Sequence, residues 1–126
     1  MAVTKAHDEF HTLDMNSGWQ NIPGYPPGIM EKILSGALDE KDRQGSRTRL
    51  LRFAPGVFTT APFVHTYWEE VFLVSGDLTV GNDDKGHGGR NFQPFTYACR
   101  PPGAAHGPFF SKGGCILLEM HYFDPA

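Results

Sequence analysis

Glycine and proline recur along almost the whole chain, and this feature limits its secondary structure most. Fifteen Gly and ten Pro are spread through 126 residues, and both residue types end helices. Between them, apolar residues alternate with polar ones in short β-branched and aromatic segments, as expected of strands that bury one face. Even the segment EKILSGALDEKDR, which has fair helical propensity, is interrupted by Gly36. The pattern predicts an all-β sandwich or barrel.

Seven segments carry the strongest strand pattern, and turn-forming clusters such as NDDKGHGG and RPPG separate them. The chain has the length of a single domain. We therefore expect an irregular N-terminal arm at residues 1–20 and one domain at residues 21–126. The predicted strands are 28–36, 46–54, 69–76, 77–81, 95–100, 106–110 and 115–123.

Charge and hydropathy argue against several classes of partner. A net charge of −3 gives no reason to expect nucleic acid or an anionic membrane as a partner. No stretch approaches the roughly 18 apolar residues of a membrane span, and the N-terminal residues lack the apolar core of a secretory signal. Cys99 and Cys115 are too few for a disulfide framework, and we predict that both are reduced. These features predict a cytoplasmic protein.

The stretch PFVHTYWEEVFLVSG, residues 62–76, contains the first candidate site residues. His65 precedes Glu69 by four residues, and the surrounding aromatic and β-branched residues predict two strands joined by a bend within HTYWE. Glu69 begins the second strand on the face shared by Val71 and Leu73, which we expect to be interior. A carboxylate at that position is costly to bury unless a cation or a hydrogen-bond donor meets it.

The next candidate site residue lies in CRPPGAAHGPFF, residues 99–110. Its two prolines and Gly103 predict a stiff turn, and His106 follows at the head of an apolar strand. Two imidazoles and a carboxylate that converge inside a barrel would bind a divalent metal and leave coordination positions open. Such a donor set is typical of non-haem Fe(II), with zinc, manganese and nickel as feasible occupants.

Together these motifs resemble those of the cupin superfamily, most closely the ChrR-like cupin group, named for the C-terminal domain of a zinc-binding anti-sigma factor. Pro55-Gly56 and FVHTYWEEVFLVSG are similar to the first cupin motif, in which a Gly follows the Glu by seven residues, as Gly76 does here. RPPGAAH resembles the second motif. The resemblance implies a double-stranded β-helix, the jelly-roll barrel of cupin or RmlC-like proteins, with His65, Glu69 and His106 as the metal ligands.

The chain departs from the cupin pattern at two positions. The first motif usually begins with His-x-His, and Phe63 occupies the position of the earlier His. The second motif normally opens with Gly, and Phe95 stands there instead. The resemblance therefore implies a site with three protein ligands, of lower metal affinity than a site with four.

Three further residues are candidates for roles beside the metal. On CILLEMHYF, His121 shares a face with Cys115, Leu117 and Glu119, so it could replace the missing ligand, act as a general base, or hydrogen-bond to the backbone. Arg49 shares its face with the apolar residues that follow it, and it could reach an acidic substrate. Tyr67 flanks the metal motif and could stack on a ligand or pack in the core.

The resemblance implies a metal-dependent enzyme that acts on a small organic substrate. The expected chemistry is cleavage of a carbon–carbon bond by a non-haem Fe(II) dioxygenase, with a diketone or hydroxyaryl ketone as substrate. A non-redox lyase or isomerase needs the same ligands, and a ligand- or metal-binding sensor is the third alternative. Cupins commonly dimerise through sheet edges or an exchanged N-terminal strand, so a homodimer is also expected.

Overall fold

The computed structural model describes residues 5–124, and strands account for all of the regular secondary structure in this range. This confirms the predicted all-β fold. The strands are β1 Gln20–Asn21, β2 Ile29–Asp39, β3 Gln44–Phe53, β4 Phe63–Val64, β5 Trp68–Gly76, β6 Leu78–Val80, β7 Arg90–Phe92, β8 Tyr97–Arg100, β9 Ala105–His106, β10 Phe109–Phe110 and β11 Cys115–Tyr122.

The strands form one large sheet and two small ones. The main sheet has the order β1-β2-β3-β11-β5-β8, a second sheet has the order β10-β6-β7, and β4 pairs with β9. All of these neighbours are antiparallel. The core lies between the main and second sheets, as expected of a jelly roll. Its buried residues are Ile29, Leu51, Phe53, Leu73, Leu78, Phe109, Cys115 and Leu117.

The register at the centre of the main sheet aligns polar residues across neighbouring strands. His121 on β11 lies opposite Arg47 on β3 and opposite Glu69 on β5. Two residues earlier on β11, Glu119 lies opposite Arg49. Because side chains two residues apart share a face of a strand, both rows point into the barrel. The pairing thus brings together residues that are far apart in the sequence.

Gly76 ends β5 where two backbone segments approach closely. Its φ is 83°, and a Cβ atom built there would lie 2.0 Å from the carbonyl oxygen of Gly114. A side chain is excluded by both the conformation and the contact. The spacing from Glu69 to Gly76 therefore has a structural cause in the way that β5 meets the start of β11.

Several short elements differ from the strands expected from sequence. The predicted strand 106–110 is two strands, β9 and β10, separated by Gly107 and Pro108. The strands β1, β4 and β7 were not predicted, because two or three residues are too few to show alternation. Cys99 is exposed and Cys115 is buried, and both are free, as predicted.

Residues 5–19 precede β1 and form no strand, and they follow the outer face of the main sheet. Lys5 Nζ donates to Thr48 Oγ1, and the guanidinium of Arg52 lies 4.2 Å from the ring centre of Trp19. Within residues 5–124, no helix is both long and apolar enough to cross a membrane.

Candidate metal centre

Glu69 occupies the centre of the candidate site and is 2% exposed. Its Oε2 lies 3.7 Å from His65 Nε2, and its Oε1 lies 3.7 Å from His106 Nε2. The three residues predicted as metal ligands thus meet inside the barrel, with donor atoms that all lie within 4.8 Å of one another.

Two short elements position the histidines. His65 directly follows β4, the predicted bend separates it from β5, and His106 ends β9. The pair β4–β9 places Phe63 opposite His106, so His106 lies in this small sheet and His65 directly follows its other strand. The amide of Gly103, in the predicted turn RPPG, donates to the carbonyl oxygen of His65 at 2.9 Å. The turn therefore connects the two histidine-bearing segments directly.

The histidine nitrogens that face the centre are available to bind a metal ion. His65 Nε2 and both ring nitrogens of His106 are buried and have no hydrogen-bond partner among the described residues. Burial lowers the pKa of His65 and lowers the pKa of His106 to about 4, so both rings carry a free lone pair at neutral pH. Buried polar atoms without a partner are rare and call for an explanation.

The distances fit a divalent metal. Two donor atoms about 2.1 Å from a common ion are roughly 3.0–3.4 Å apart at octahedral or tetrahedral angles. The observed 3.7 Å separations are too long for hydrogen bonds and close to that range. Two imidazoles and one carboxylate are a donor set for iron, zinc, manganese or nickel. The described residues therefore include a set that could hold a divalent metal ion.

Both oxygens of Glu69 also have hydrogen-bond partners. Arg100 donates from a terminal guanidinium nitrogen to Glu69 Oε1 at 3.2 Å, and His121 Nε2 lies 2.9 Å from Glu69 Oε2. A buried carboxylate needs such partners. They fix the orientation in which the oxygens face the two histidines.

His121 is fully buried, and its hydrogen bonds define its role. Arg47 donates to His121 Nδ1 from Nε at 3.1 Å and from a terminal nitrogen at 2.8 Å. Because a guanidinium only donates, Nδ1 is an acceptor and the ring proton is on Nε2, directed at Glu69. His121 therefore lies at the site, where its geometry favours orientation of Glu69 over metal ligation.

Arg49 is 2% exposed and is held by two carboxylates. Its Nε donates to Glu119 Oε1 at 2.8 Å, and a terminal nitrogen donates to Glu31 Oε1 at 2.9 Å. Burial alone raises the pKa of Glu119, but Arg49 and His121 outweigh it, so the pKa of this carboxyl is well below its usual range. Arg49 thus faces the interior, with its guanidinium committed to protein carboxylates.

Glu69, Glu119 and His121 form a second group of possible ligands, whose donor atoms also lie within 4.8 Å of one another. Their polar atoms already have partners, since Glu119 accepts from Arg49 and His121 bonds to Arg47 and Glu69. The unpartnered nitrogens of His65 and His106 therefore make the first group the better metal site.

Aromatic rings surround the histidines. The ring of Tyr67 stacks on His65 with a centroid distance of 4.6 Å and an interplanar angle of 12°. Burial raises the pKa of Tyr67, so its phenol keeps its proton at neutral pH. Phe63 stacks on Tyr25 at 4.7 Å and lies 6.1 Å from the ring of His106. The side chain at the position of the missing His therefore borders the site without offering a ligand.

Three cavities adjoin the centre. The inner cavity of about 30 Å³ is walled by Glu69, Arg100, His106, Glu119 and largely apolar side chains. A cleft of about 190 Å³, which we call the apolar cleft, lies between β5, β8 and β11 on one side and β6 and β7 on the other. A polar cleft of about 320 Å³ reaches His65 and Tyr67 beside Arg47 and Arg49.

Sequence reasoning assigned no role to Tyr25, Arg100 or Glu119, and it considered Arg47 only alongside Arg49 and Arg52 as a residue that could reach an acidic substrate. Glu119 was recognised as sharing a face with His121, but no role was assigned to it. Arg100 adjoins the RPPG turn, and its position on β8 two residues after Ala98 was a usable signal for an inward side chain. Tyr25 carries no local signal, because only the loop before β2 brings it to the site, whereas Arg47 lies two residues before Arg49 and shares its inward face.

Solved structures with a similar fold include proteins that are named for different activities. An acetylacetone dioxygenase from Acinetobacter johnsonii aligns with a TM-score of 0.65 and 20% identity, over 93% of this chain and 75% of that one. A RmlC-like cupin from Shewanella frigidimarina NCIMB 400 aligns with a TM-score of 0.63 and 15% identity, over 94% of this chain and 93% of that one. The polyketide cyclase RemF from Streptomyces resistomycificus aligns with a TM-score of 0.61 and 18% identity, over 90% of this chain and 79% of that one.

These similarities confirm the jelly-roll fold, and at such low identity they establish the fold alone. No curated protein matches the sequence significantly. The sequence itself matches the family described as the ChrR Cupin-like domain over residues 8–122, which includes all three predicted ligands. The chain therefore belongs to the ChrR Cupin-like domain family of the cupins.

Proposed function

We propose that this protein is a metal-dependent enzyme that acts on a small organic substrate, as a non-haem Fe(II) dioxygenase that cleaves a carbon–carbon bond of a diketone or hydroxyaryl ketone. The observation that carries the proposal is the pair of buried, unpartnered Nε2 atoms of His65 and His106, each 3.7 Å from a different oxygen of Glu69. Buried polar atoms without a partner are rare in folded proteins, and a bound metal would account for both of these nitrogens.

When bound, an Fe(II) ion would supply open coordination positions for substrate oxygens and for dioxygen. His65, Glu69 and His106 would hold it, and His121 keeps the carboxylate of Glu69 oriented through Nε2. Two imidazoles and one carboxylate leave the remaining positions of an octahedron open, which suits this chemistry.

The protein around the site limits access of bulk water and retains a proton donor. Phe63, Phe109 and Leu117 line the inner cavity, which has room for about one or two molecules of the size of water or dioxygen. Tyr67, on the other side of His65, keeps its phenolic proton and can donate it to a substrate oxygen. The larger part of a substrate would lie in an adjoining cleft.

The similarity to the Acinetobacter johnsonii acetylacetone dioxygenase supports β-diketones as the first substrates to assay. Its support is limited to this choice, since a polyketide cyclase shares the same fold at comparable identity. The reaction must therefore be established by assay.

A non-redox lyase or isomerase is the second candidate function. The protonated phenol of Tyr67 beside His65, at the polar cleft that also contains Arg47, favours it, because such reactions need a proton donor near a polarised oxygen. This reaction would use the same three ligands with zinc or manganese.

The test is metal analysis followed by oxygen consumption. Protein purified without chelators is analysed for metals, loaded anaerobically with Fe(II), and mixed with 1,2-diketones, β-diketones, catechols and hydroxyaryl ketones at an oxygen electrode. We expect oxygen uptake stoichiometric with product from one of these classes, and no uptake from a His106→Ala variant treated identically. Iron-loaded protein that consumes no oxygen with any member of the panel would favour the non-redox function.

A further inference from the structure

Arg100 lies on the wall that separates the inner cavity from the apolar cleft. Both cavities are lined by Arg100 together with Val71, Leu78 and Leu117. The other residues that line the apolar cleft are uncharged, and exposed Tyr97 forms part of its wall, so the cleft reaches the surface. A molecule that entered the cleft would meet one cation at its inner end, next to Glu69.

The guanidinium of Arg100 has unused hydrogen-bonding capacity. It makes one side-chain hydrogen bond to the described residues, to Glu69 Oε1, and its centre lies 5.9 Å from the ring of Phe109. A guanidinium has five N–H donors in a planar fork that suits a carboxylate or an enolate oxygen. Its side chain is 22% exposed, so a ligand can reach the remaining donors.

The two neighbouring arginines already hydrogen-bond to other side chains of the protein. Arg49 pairs with Glu31 and Glu119, and Arg47 donates twice to His121. Neither of them lines the apolar cleft. Arg100 is thus the cation of this group that combines free donors with access from an apolar space.

The charge balance of the site also favours binding of an anion. Its buried and half-buried charged side chains are three carboxylates and three guanidiniums, which sum to zero: Glu31, Glu69, Glu119, Arg47, Arg49 and Arg100. A divalent cation held by Glu69 and the two histidines would leave an excess charge of +2 in a largely buried region. Buried excess charge is costly unless a counter-charge is supplied.

We propose that the substrate is a small organic anion, whose carboxylate or enolate oxygen pairs with Arg100 and whose apolar body occupies the apolar cleft. This inference rests on the proposed function, because the excess charge arises when the metal site is loaded. It narrows the substrate class: neutral isosteres lack the charge, and polyanions such as sugar phosphates do not match an apolar cleft.

The test measures binding to zinc-loaded protein, in which no oxygen chemistry occurs. Benzoate, the enolisable diketone benzoylacetone and the neutral isostere benzamide are titrated at pH 7 by calorimetry. Amide chemical shifts at Thr96 and Ala98 report occupancy of the apolar cleft. We expect benzoate, benzoylacetone or both to bind at least about tenfold more tightly than benzamide, because a charged hydrogen bond contributes roughly 1.5–3 kcal/mol. Tighter binding of benzoate identifies a carboxylate as the preferred group, and tighter binding of benzoylacetone identifies an enolate.

The variants separate a role in ligand binding from a structural role. Arg100→Gln should weaken anion binding at least about tenfold, compared at equal zinc content, and leave benzamide unchanged. Arg100→Lys retains the charge near Glu69, and it should weaken anion binding at least about threefold while keeping zinc. Arg52→Gln, on the outer face of the sheet, should change neither anion binding nor zinc content.

Equal affinity for benzoate and benzamide, unchanged anion affinity in both Arg100 variants, or no binding of any probe would overturn the inference. The binding result can be interpreted even if the oxygenase assay fails, because the zinc-loaded protein reports binding alone. Arg100-dependent anion binding without oxygen uptake would retain the substrate class and reject the dioxygenase.

Discussion

His121 and Glu69 lie opposite each other on β11 and β5, with His121 Nε2 2.9 Å from Glu69 Oε2. Arg47 binds the other ring nitrogen and thereby fixes the proton on the side of Glu69. The carboxylate at the centre of the site is therefore oriented by a residue that is 52 positions later in the chain.

His121→Asn should weaken metal binding without abolishing it. Loss of a hydrogen bond that orients a ligand typically costs about 10–100-fold in metal affinity. Competition against a metallochromic chelator measures the change. Tyr122→Phe is the matched control, since this adjacent side chain bonds to Glu70 on the opposite face and should leave the affinity unaltered. Equal affinities for the wild type and the Asn variant would show that His121 does not support Glu69.

His106→Ala should remove the bound metal and preserve the fold. The side chain supplies one of the three donors, while β9 contributes only two residues to the sheets. Metal stoichiometry by mass spectrometry and far-ultraviolet circular dichroism measure the two properties. His87→Ala, in an exposed loop, is the control. Retention of metal at the wild-type stoichiometry would show that the ligand set is wrong.

Phe63→His should tighten metal binding by about tenfold or more, because it adds an imidazole beside the existing donors. Phe63 pairs with His106 across β4 and β9, and its ring centre lies 6.2 Å from that of His65. Loss of the stack on Tyr25 should cost about 0.5–1.5 kcal/mol of stability. Phe63→Leu separates the effects, since it loses the ring without adding a ligand. Equal metal affinity of the His and Leu variants would contradict the prediction.

The metal-free protein should lose stability as the pH falls from about 6.5 to about 4. Burial lowers the pKa of His106 to about 4, so over this range the unfolded chain binds a proton that the folded protein does not. The stability difference is at most about 3 kcal/mol for this residue. Urea unfolding at several pH values in the presence of a chelator measures it. His106→Gln should flatten the dependence, and an unchanged slope in that variant would refute the assignment to His106.

Phe95→Gly should stabilise the fold by up to about 1 kcal/mol. Phe95 has a φ of 74°, a conformation that suits glycine, and it is 76% exposed, so little packing offsets the strain. Phe95→Ala is the control, because it removes the contact with Phe72 and keeps a Cβ. Urea unfolding compares the three proteins. A Gly variant no more stable than the Ala variant would show that the backbone conformation carries no strain.

The fold and the convergence of the three candidate ligands could be predicted because their signals are local. The alternation in β2, β3, β5 and β11 indicates strands, and the motifs around His65, Glu69 and His106 are contiguous in sequence. Phe95 is instructive, because it was identified as a departure from glycine, and the structure shows that the backbone there still has the conformation of a glycine.

The supporting network could not be predicted, because it depends on which strands are neighbours. Arg47, His121 and Glu69 meet because β11 lies between β3 and β5 and because the register aligns these three residues. Alternation determines the face on which a side chain lies, and it does not determine the partner strand. Arg49 illustrates the difference: its inward face was foreseen, whereas its two carboxylate partners were not.

The position of β11 also has a consequence for how the protein is made. The strand at residues 115–122 is inserted between strands that begin some 70 and 45 residues earlier, so ribosomal synthesis delivers both neighbours before the strand that joins them. Until then β3 and β5 have unpaired edges, and such edges invite aggregation. Because His121 on β11 orients Glu69, the candidate metal site is complete only after this strand has joined the sheet.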